Sequence, residues 1–331
     1  MSRTRCLQTF VTLLLISASL AGARADSTAA GTHALAQSPS SAIAAALSGT
    51  VSSASEGKME GVLVSAEKNG SPNRITVVSN ASGHFDFPAD RLSPGHYELS
   101  IRAIGYELDG PRSADVPASG IGTTDLILRK SDDIAAQMTN TEWFMSIPGT
   151  AAQKQKLLAC MSCHTLGPIV RSTLTSDEFV PVLKRMANYA ENTTEAVAQP
   201  RPTEQHGSEL LIRRIADYLA SNNLSRGSTW AYPLKTLPRP TGAATRTIVT
   251  EYSLPRKAIA PHDVRTDSEG NVWYSDFVEE KLGMLDPQSG TVKECDYPVV
   301  KPGFPMGSLD LEPDQDGNLW FAMLFQTGLA K

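Results

Sequence analysis

The chain has 331 residues, four Cys, six His, 41% apolar and 20% charged residues, and a formal net charge of −5. That length accommodates two or three domains, and the apolar share suffices for folded cores. The acidic balance speaks against a nucleic-acid-binding protein, which would carry a basic face.

Residues 1–25 read as a secretory signal, with Arg3 and Arg5 ahead of a short apolar run and Ala23-Arg24-Ala25 as the small-x-small cleavage site. The apolar run is shorter than the roughly 20 residues a membrane span needs. No other segment is longer, so the expectation is a periplasmic or secreted protein with no membrane span after cleavage. Residues 26–44, rich in Ala, Ser and Thr without periodicity, read as a disordered leader.

Residues 45–130 read as all-β. Short runs rich in Val, Ile, Leu and aromatics (47–51, 61–66, 75–78, 96–102, 125–128) alternate with turn signals such as Asn69-Gly70 and Ser93-Pro94-Gly95. Phe85 and Phe87 flank Asp86, the period of a half-buried strand. About seven such strands make a β-sandwich. Ser48-Gly49-Thr50-Val51, Gly61-Val62-Leu63-Val64, Ser82-Gly83-His84-Phe85-Asp86-Phe87 and Leu92-Ser93-Pro94-Gly95-His96-Tyr97 follow one another in an order that resembles the carboxypeptidase regulatory-like family. The resemblance implies a non-catalytic, transthyretin (prealbumin)-like sandwich, a fold that overlaps those used to bind carbohydrate. His84 and His96 read as exposed strand or turn histidines.

Residues 131–226 read as helical. A helix over 151–159 runs into Cys160-Met161-Ser162-Cys163-His164. C-x-x-C-H is the attachment spacing of a c-type haem: two thiolates add across the vinyl groups and the histidine follows as proximal iron ligand. Zinc would need two more Cys or His at short spacing, and none follow. A thioredoxin-like pair wants a βαβ context, which helical flanks do not provide. Leu157 and Leu158 are expected at the haem edge, with Trp143 and Phe144 covering the macrocycle.

Thr175 and Glu178 have capping-box spacing and open a helix over 176–189, with Phe179, Val182, Leu183 and Met186 on one stripe. Pro181 is tolerable only near the start of that helix. A third helix over 208–220 presents Leu211, Ile215, Tyr218 and Leu219. An all-helical unit with the motif early and an aromatic-bearing terminal helix resembles the cytochrome c family, on Cys160, Cys163 and His164. The resemblance implies one covalent haem c, electron transfer and a periplasmic redox partner. The sixth iron ligand stays open between Met186, His206 and water.

Residues 227–245, with Pro233, Pro238 and Pro240, read as a semi-extended linker. Residues 246–331 repeat: Asp267-Ser268-Glu269-Gly270-Asn271-Val272-Trp273 returns 47 residues later as Asp314-Gln315-Asp316-Gly317-Asn318-Leu319-Trp320. A turn feeding a Trp-bearing strand at that period signals a β-propeller blade. Pro261-His262-Asp263-Val264 ahead of that turn resembles the virginiamycin B lyase-like (streptogramin lyase) propellers. The family's catalytic and magnesium-binding residues belong to later blades, so no catalytic residue is carried over, and His262 reads as structural. Two blades are too few for closure, so the expectation is a fragment or a chain completed by a partner. Cys295 is expected as a small buried side chain.

The expected fold is therefore multidomain: an all-β sandwich, an all-α cytochrome c domain and a partial β-propeller. The expected function is electron transfer through one haem. A propeller enzyme using the haem as electron acceptor, and a carbohydrate or cell-surface binding protein, are the rivals.

Overall fold

A computed structural model describes residues 44–331. The expected signal and all but the last residue of the expected leader lie outside the described residues.

The chain opens with strands β1 (Ala45–Ser53), β2 (Gly57–Lys58), β3 (Leu63–Lys68), β4 (Asn73–Val78), β5 (His84–Pro88), β6 (Gly95–Arg102), β7 (Tyr106–Leu108), β8 (Ser113–Val116), β9 (Gly122–Thr123) and β10 (Leu126–Lys130). They form two sheets of a sandwich, one ordered β2-β1-β10-β7 with β5 and β9 also on β1. The other contains β4-β3-β6-β8. Period-two alternation fills the space between them. Tyr97 and Leu99 are buried while His96, Glu98 and Ser100 face water. Leu47, Val51, Val64, Phe85, Phe87 and Leu126 are buried in one cluster, each worth about 1.5–3 kcal/mol of transfer free energy.

Six helices follow: α1 (Ile134–Gln137), α2 (Asn140–Ser146), α3 (Ala151–Met161), α4 (Gly167–Val170), α5 (Ser176–Met186) and α6 (Glu209–Asn222). Thr139, Thr150 and Thr175 each close a capping box at the start of α2, α3 and α5. Trp143, Leu157, Leu166, Val170, Phe179, Ala216 and Leu219 are buried together. Pro181 stands inside α5 rather than in its first turn, so one i→i−4 bond is missing there. The core face of α5 is Phe179, Val180 and Leu183, not a stripe reaching Met186. On α6 the buried face is Ile212, Ala216 and Leu219, and Leu211 points to water.

Residues 227–245, expected as a semi-extended linker, are docked along their length. They strap across the helices and then across the sandwich. Trp230 packs against Trp143 at a tilt, with ring centroids 5.0 Å apart, and donates its Nε1–H to Val170 O at 2.9 Å. Lys235 N donates to Ser146 Oγ (2.7 Å) and Leu237 N to Glu142 Oε1 (2.9 Å). Arg239 then pairs with Glu56 at 2.5 Å, and Gly242 N donates to Glu60 Oε1 at 2.9 Å. A 3-10 turn, Gly242–Arg246, leads into β11 (Val249–Tyr252), which pairs antiparallel with β4. This corrects the assignment of 246–331 to one unit: β11 covers the edge of the sandwich.

The remaining strands are β12 (Pro261–Thr266), β13 (Val272–Asp276), β14 (Lys281–Leu285), β15 (Val292–Asp296), β16 (Leu309–Pro313), β17 (Leu319–Met323) and β18 (Gly328–Ala330). β12 to β15 form one antiparallel meander and β16 to β18 a second. The repeated turn closes identically in both. Asp267 accepts from Asn271 N, Asn271 Nδ2 and Trp273 Nε1, each at 2.9 Å. Asp314 accepts from Asn318 N, Asn318 Nδ2 and Trp320 Nε1 at 2.8–3.1 Å. Leu282, Leu311, Phe321 and Met323 pack between the sheets, and Arg265 reaches Glu312 at 2.6 Å. Cys295 on β15 is half-buried and is not among the free thiols, which corrects the expectation of a plain buried side chain. Among the described residues no helix is long and apolar enough to cross a membrane.

Candidate functional site

α3 carries the motif. Its start is fixed by the Thr150–Gln153 capping box and by Lys154 Nζ donating to Phe144 O at 2.8 Å. Leu157 anchors the helix in the core, whereas Leu158 is 51% exposed rather than packed. Cys160 lies on the last turn, with Sγ 3.5 Å from Lys156 O. The helix ends at Met161, and Ser162 Oγ caps it by donating to Ala159 O at 2.8 Å. Cys163 and His164 therefore sit on the turn that follows. Leu166 N, donating to Asn140 Oδ1 at 2.8 Å, ties the far side of that turn to α2.

Both thiols are free and half-buried. Burial pushes the Cys160 thiol up, and the neighbouring Cys163 adds to it. His164 places Nδ1 2.7 Å from Thr165 O. A carbonyl only accepts, so Nδ1 carries the proton and the lone pair is on Nε2. That donor set fits a c-type haem: two free, half-buried thiols at one-turn spacing, an imidazole with Nε2 available as iron ligand, and an apolar Leu158 in water beside them. Among the described residues no three His, Cys, Asp or Glu are arranged to hold a metal ion unaided.

Met186 is the half-buried last residue of α5, and His206 is exposed with Nε2 4.0 Å from Glu204. Main-chain and amide bonds join the two ends of the loop between them. Gln205 N donates to Asn188 Oδ1 (2.7 Å) and Arg201 N to Asn188 O (2.9 Å). Trp143 is fully buried and Phe144 half-buried. His84 directs Nε2 alone at both Asp86 (3.0 Å) and Ser48 (3.4 Å), so the three do not form a relay, which needs both ring nitrogens. His96 pairs with Asp115 at 2.8 Å and His262 with Asp263 at 3.3 Å, all at the surface or partly exposed.

One charged cluster had no signal in the sequence. Arg256, between β11 and β12, meets buried Asp276 at 2.9 Å, Glu294 at 2.6 Å and Glu279. Hydrogen bonding to Glu294 raises the Arg256 pKa further. Burial and the nearby Glu294 push the Tyr274 hydroxyl up to about 12. Burial also raises Glu280. These residues come from a loop and three different strands or strand ends, so no spacing rule gathers them.

The molecule thus divides into a two-sheet β module, a helical unit bearing two free thiols and a histidine, and two stacked antiparallel sheets. The family model of the carboxypeptidase regulatory-like domain matches residues 46–129, the span of this β-sandwich. Compared with curated proteins, the chain gives no match.

Proposed function

We propose that the helical unit binds one haem c covalently through Cys160 and Cys163, with His164 as proximal ligand, and that the protein is an exported electron carrier. The observation that carries this reading is the pairing of two free thiols at C-x-x-C spacing with a histidine whose Nε2 is available for iron. Bound haem supplies a one-electron couple. The chain's own residues attach it, orient the imidazole and exclude water on one side with the α2–α3 core. Met186 is the proposed sixth ligand, since α5 does not use it for packing, and His206 is the alternative. We read β12 to β18 as the first two blades of a streptogramin lyase-like propeller, supported by the matched Asp267 and Asp314 turns. The partner would be a periplasmic redox protein.

The test is expression in a host with haem-attachment machinery, followed by peroxidase staining of a denaturing gel and intact mass. The expected result is a stained band one haem heavier than the polypeptide. Cys163→Ala should remove one thioether and cut the yield sharply. An unstained band of polypeptide mass would end the proposal.

One observation favours a second reading, carbohydrate binding by the sandwich. A trough of about 410 Å³ crosses its outer face, lined by Ser65, Thr76, Ser100, Arg74, Arg102 and Glu251. Thr76, Ser65 and Ser100 are cross-strand neighbours, so their hydroxyls form a row. Amide shifts confined to these strands on titration with a neutral disaccharide would support it, and their absence would remove it.

A further inference from the structure

The chain between α5 and α6 is a closed loop with its neck fastened and two amide side chains, Asn192 and Gln199, buried against the terminal sheets, while Glu195, Ala196 and Ala198 at its turn are exposed. At the neck, Ala190 N donates to Gln199 O (2.8 Å) and Arg201 Nε to Tyr189 O (3.0 Å). Gln205 N donates to Asn188 Oδ1 at 2.7 Å. Met186 stands two residues before Asn188 and His206 one after Gln205, so both candidates for the sixth ligand are held at the neck.

Beside the neck, Asn192 is fully buried and its Nδ2 donates to Phe277 O (3.1 Å) and to Met306 O. Gln199, also buried, donates from Nε2 to Val278 O at 2.6 Å and accepts from Met306 N at 3.4 Å. The groups recognised are main-chain atoms just after β13 and just before β16. What the loop reads is the backbone path of the terminal sheets. Resting on the haem reading above, we propose that Asn192 and Gln199 are positioning residues through which these sheets hold the loop that carries both sixth-ligand candidates, Met186 and His206, in its closed form.

The physical argument is one of local stability. A long loop without regular structure opens at low free energy unless its polar groups are satisfied in a buried setting. Withdrawing the Asn192 amide strands two carbonyls and one buried cavity at once, so the loop and its neck open together. With haem bound, opening of this loop would be what frees Met186 or His206 from the iron, and the contacts of Asn192 and Gln199 with the terminal sheets would set how often it opens.

The experiment uses full-length, haem-loaded ferric protein and cyanide as the entering ligand, followed in the visible spectrum. Asn192→Asp keeps the volume but sets a carboxylate against two carbonyls. Gln199→Ala removes the second contact. Gly307→Ala acts from the other side: at φ +102°, its Cβ would lie 2.1 Å from Phe277 O and displace that acceptor. Whichever of Met186→Ala and His206→Ala binds cyanide faster sets the unligated reference. The expected result is cyanide binding at least tenfold faster in the three variants than in the native protein, approaching the reference, with a lowered midpoint potential and faster hydrogen exchange over 187–206. Rates within twofold of the native protein in all three, with the reference fast, would overturn the clamp. If neither ligand variant accelerates binding while the band still stains for haem, the sixth ligand is not a side chain, and the clamp falls while haem attachment stands.

Discussion

Glu142 on α2 ties the helices, the strap and the sandwich together, and replacing it tests whether the strap is structural. Its carboxylate is fully buried and accepts from Thr139 N and Thr139 Oγ1 at 2.8 Å and from Leu237 N at 2.9 Å. Arg102 of the sandwich approaches to 3.7 Å. Burial alone would raise its pKa, but the N–H groups of Thr139 and Leu237 outweigh that and hold the carboxyl below its usual 4.5. A hydrogen bond to a charged group is worth about 1.5–3 kcal/mol, and a stranded buried donor costs a similar amount. Glu142→Ala removes the acceptor of two main-chain donors, so the expected loss is about 3–5 kcal/mol. Glu142→Gln keeps one oxygen and should lose about 1–2 kcal/mol. Urea unfolding followed by tryptophan emission measures the loss, and hydrogen exchange at the Leu237 amide localises it. Because the folded pKa is lowered, the ionised form's contribution is complete above 4.5 and disappears as pH falls through the folded value. The gap between native protein and Glu142→Gln should therefore narrow in acid. A loss below about 1 kcal/mol for Glu142→Ala, or a gap that widens as pH falls, would refute the reasoning.

Glu280 is buried with Oε1 unpartnered and its pKa raised, chiefly by burial. Glu280→Gln should match the native protein in acid, where the carboxyl is protonated in both states, and exceed it by roughly 1 kcal/mol at pH 7 in thermal unfolding. The Asp314 carboxyl, held by Trp320 Nε1–H and by Asn318, should titrate at about 2, read from the pH dependence of the Trp320 indole resonance. A midpoint near the ordinary 3.8 would remove the turn's electrostatic account. Gly283→Ala would set a Cβ 1.8 Å from the Tyr274 ring and should destabilise by about 1–3 kcal/mol, with hydrogen exchange rising first in β13 and β14. Met186→Ala should abolish a weak near-red sulfur-to-iron band in the oxidised holoprotein. Its persistence would transfer the ligand role to His206.

What was legible in the sequence was local. The Thr175–Glu178 capping box, the Asp267 and Asp314 turns and the Phe85–Phe87 alternation are each settled within a few residues, and each is found as the spacing implied. What was not legible depends on partners distant in the chain. Val249 to Tyr252 alternate as a strand does, but nothing in those residues says that the partner is β4, more than 170 positions earlier. α6 begins Leu210-Leu211-Ile212, so stripes starting at Leu211 and at Ile212 both satisfy a 3.6 period. The stripe that won runs through Ala216, whose small side chain is fully buried where α5 approaches. For the candidate site the motif residues were readable from spacing alone. The proton on His164 Nδ1 and the burial of Asn192 and Gln199 were not, since both depend on which carbonyl lies opposite.

The joints between the three parts share one chemistry, and it bears on how the molecule works as a unit. The strap docks by giving main-chain N–H groups of Leu237 and Gly242 to fixed carboxylates, Glu142 and Glu60. β11 docks by a strand ladder on β4. The loop between α5 and α6 docks by giving side-chain amides to main-chain carbonyls of residues 277, 278 and 306. In each of these hydrogen bonds at least one partner is backbone, which is held by the fold rather than by a rotamer; the Trp143–Trp230 contact and the Arg239–Glu56 pair add side-chain contacts to the strap. Orientation between the parts is then set by backbone path, and a side-chain change on the backbone's side cannot remove the contact. Only a change of path does so. Gly307 is such a place, because a Cβ there must move the Phe277 carbonyl. Pro-rich composition alone suggested a semi-extended spacer. The part-buried polar contacts with the helices and the exposed ones with the sandwich argue instead that the helical unit is held in one orientation against both β parts, with the C-x-x-C-H turn carried along as part of that body.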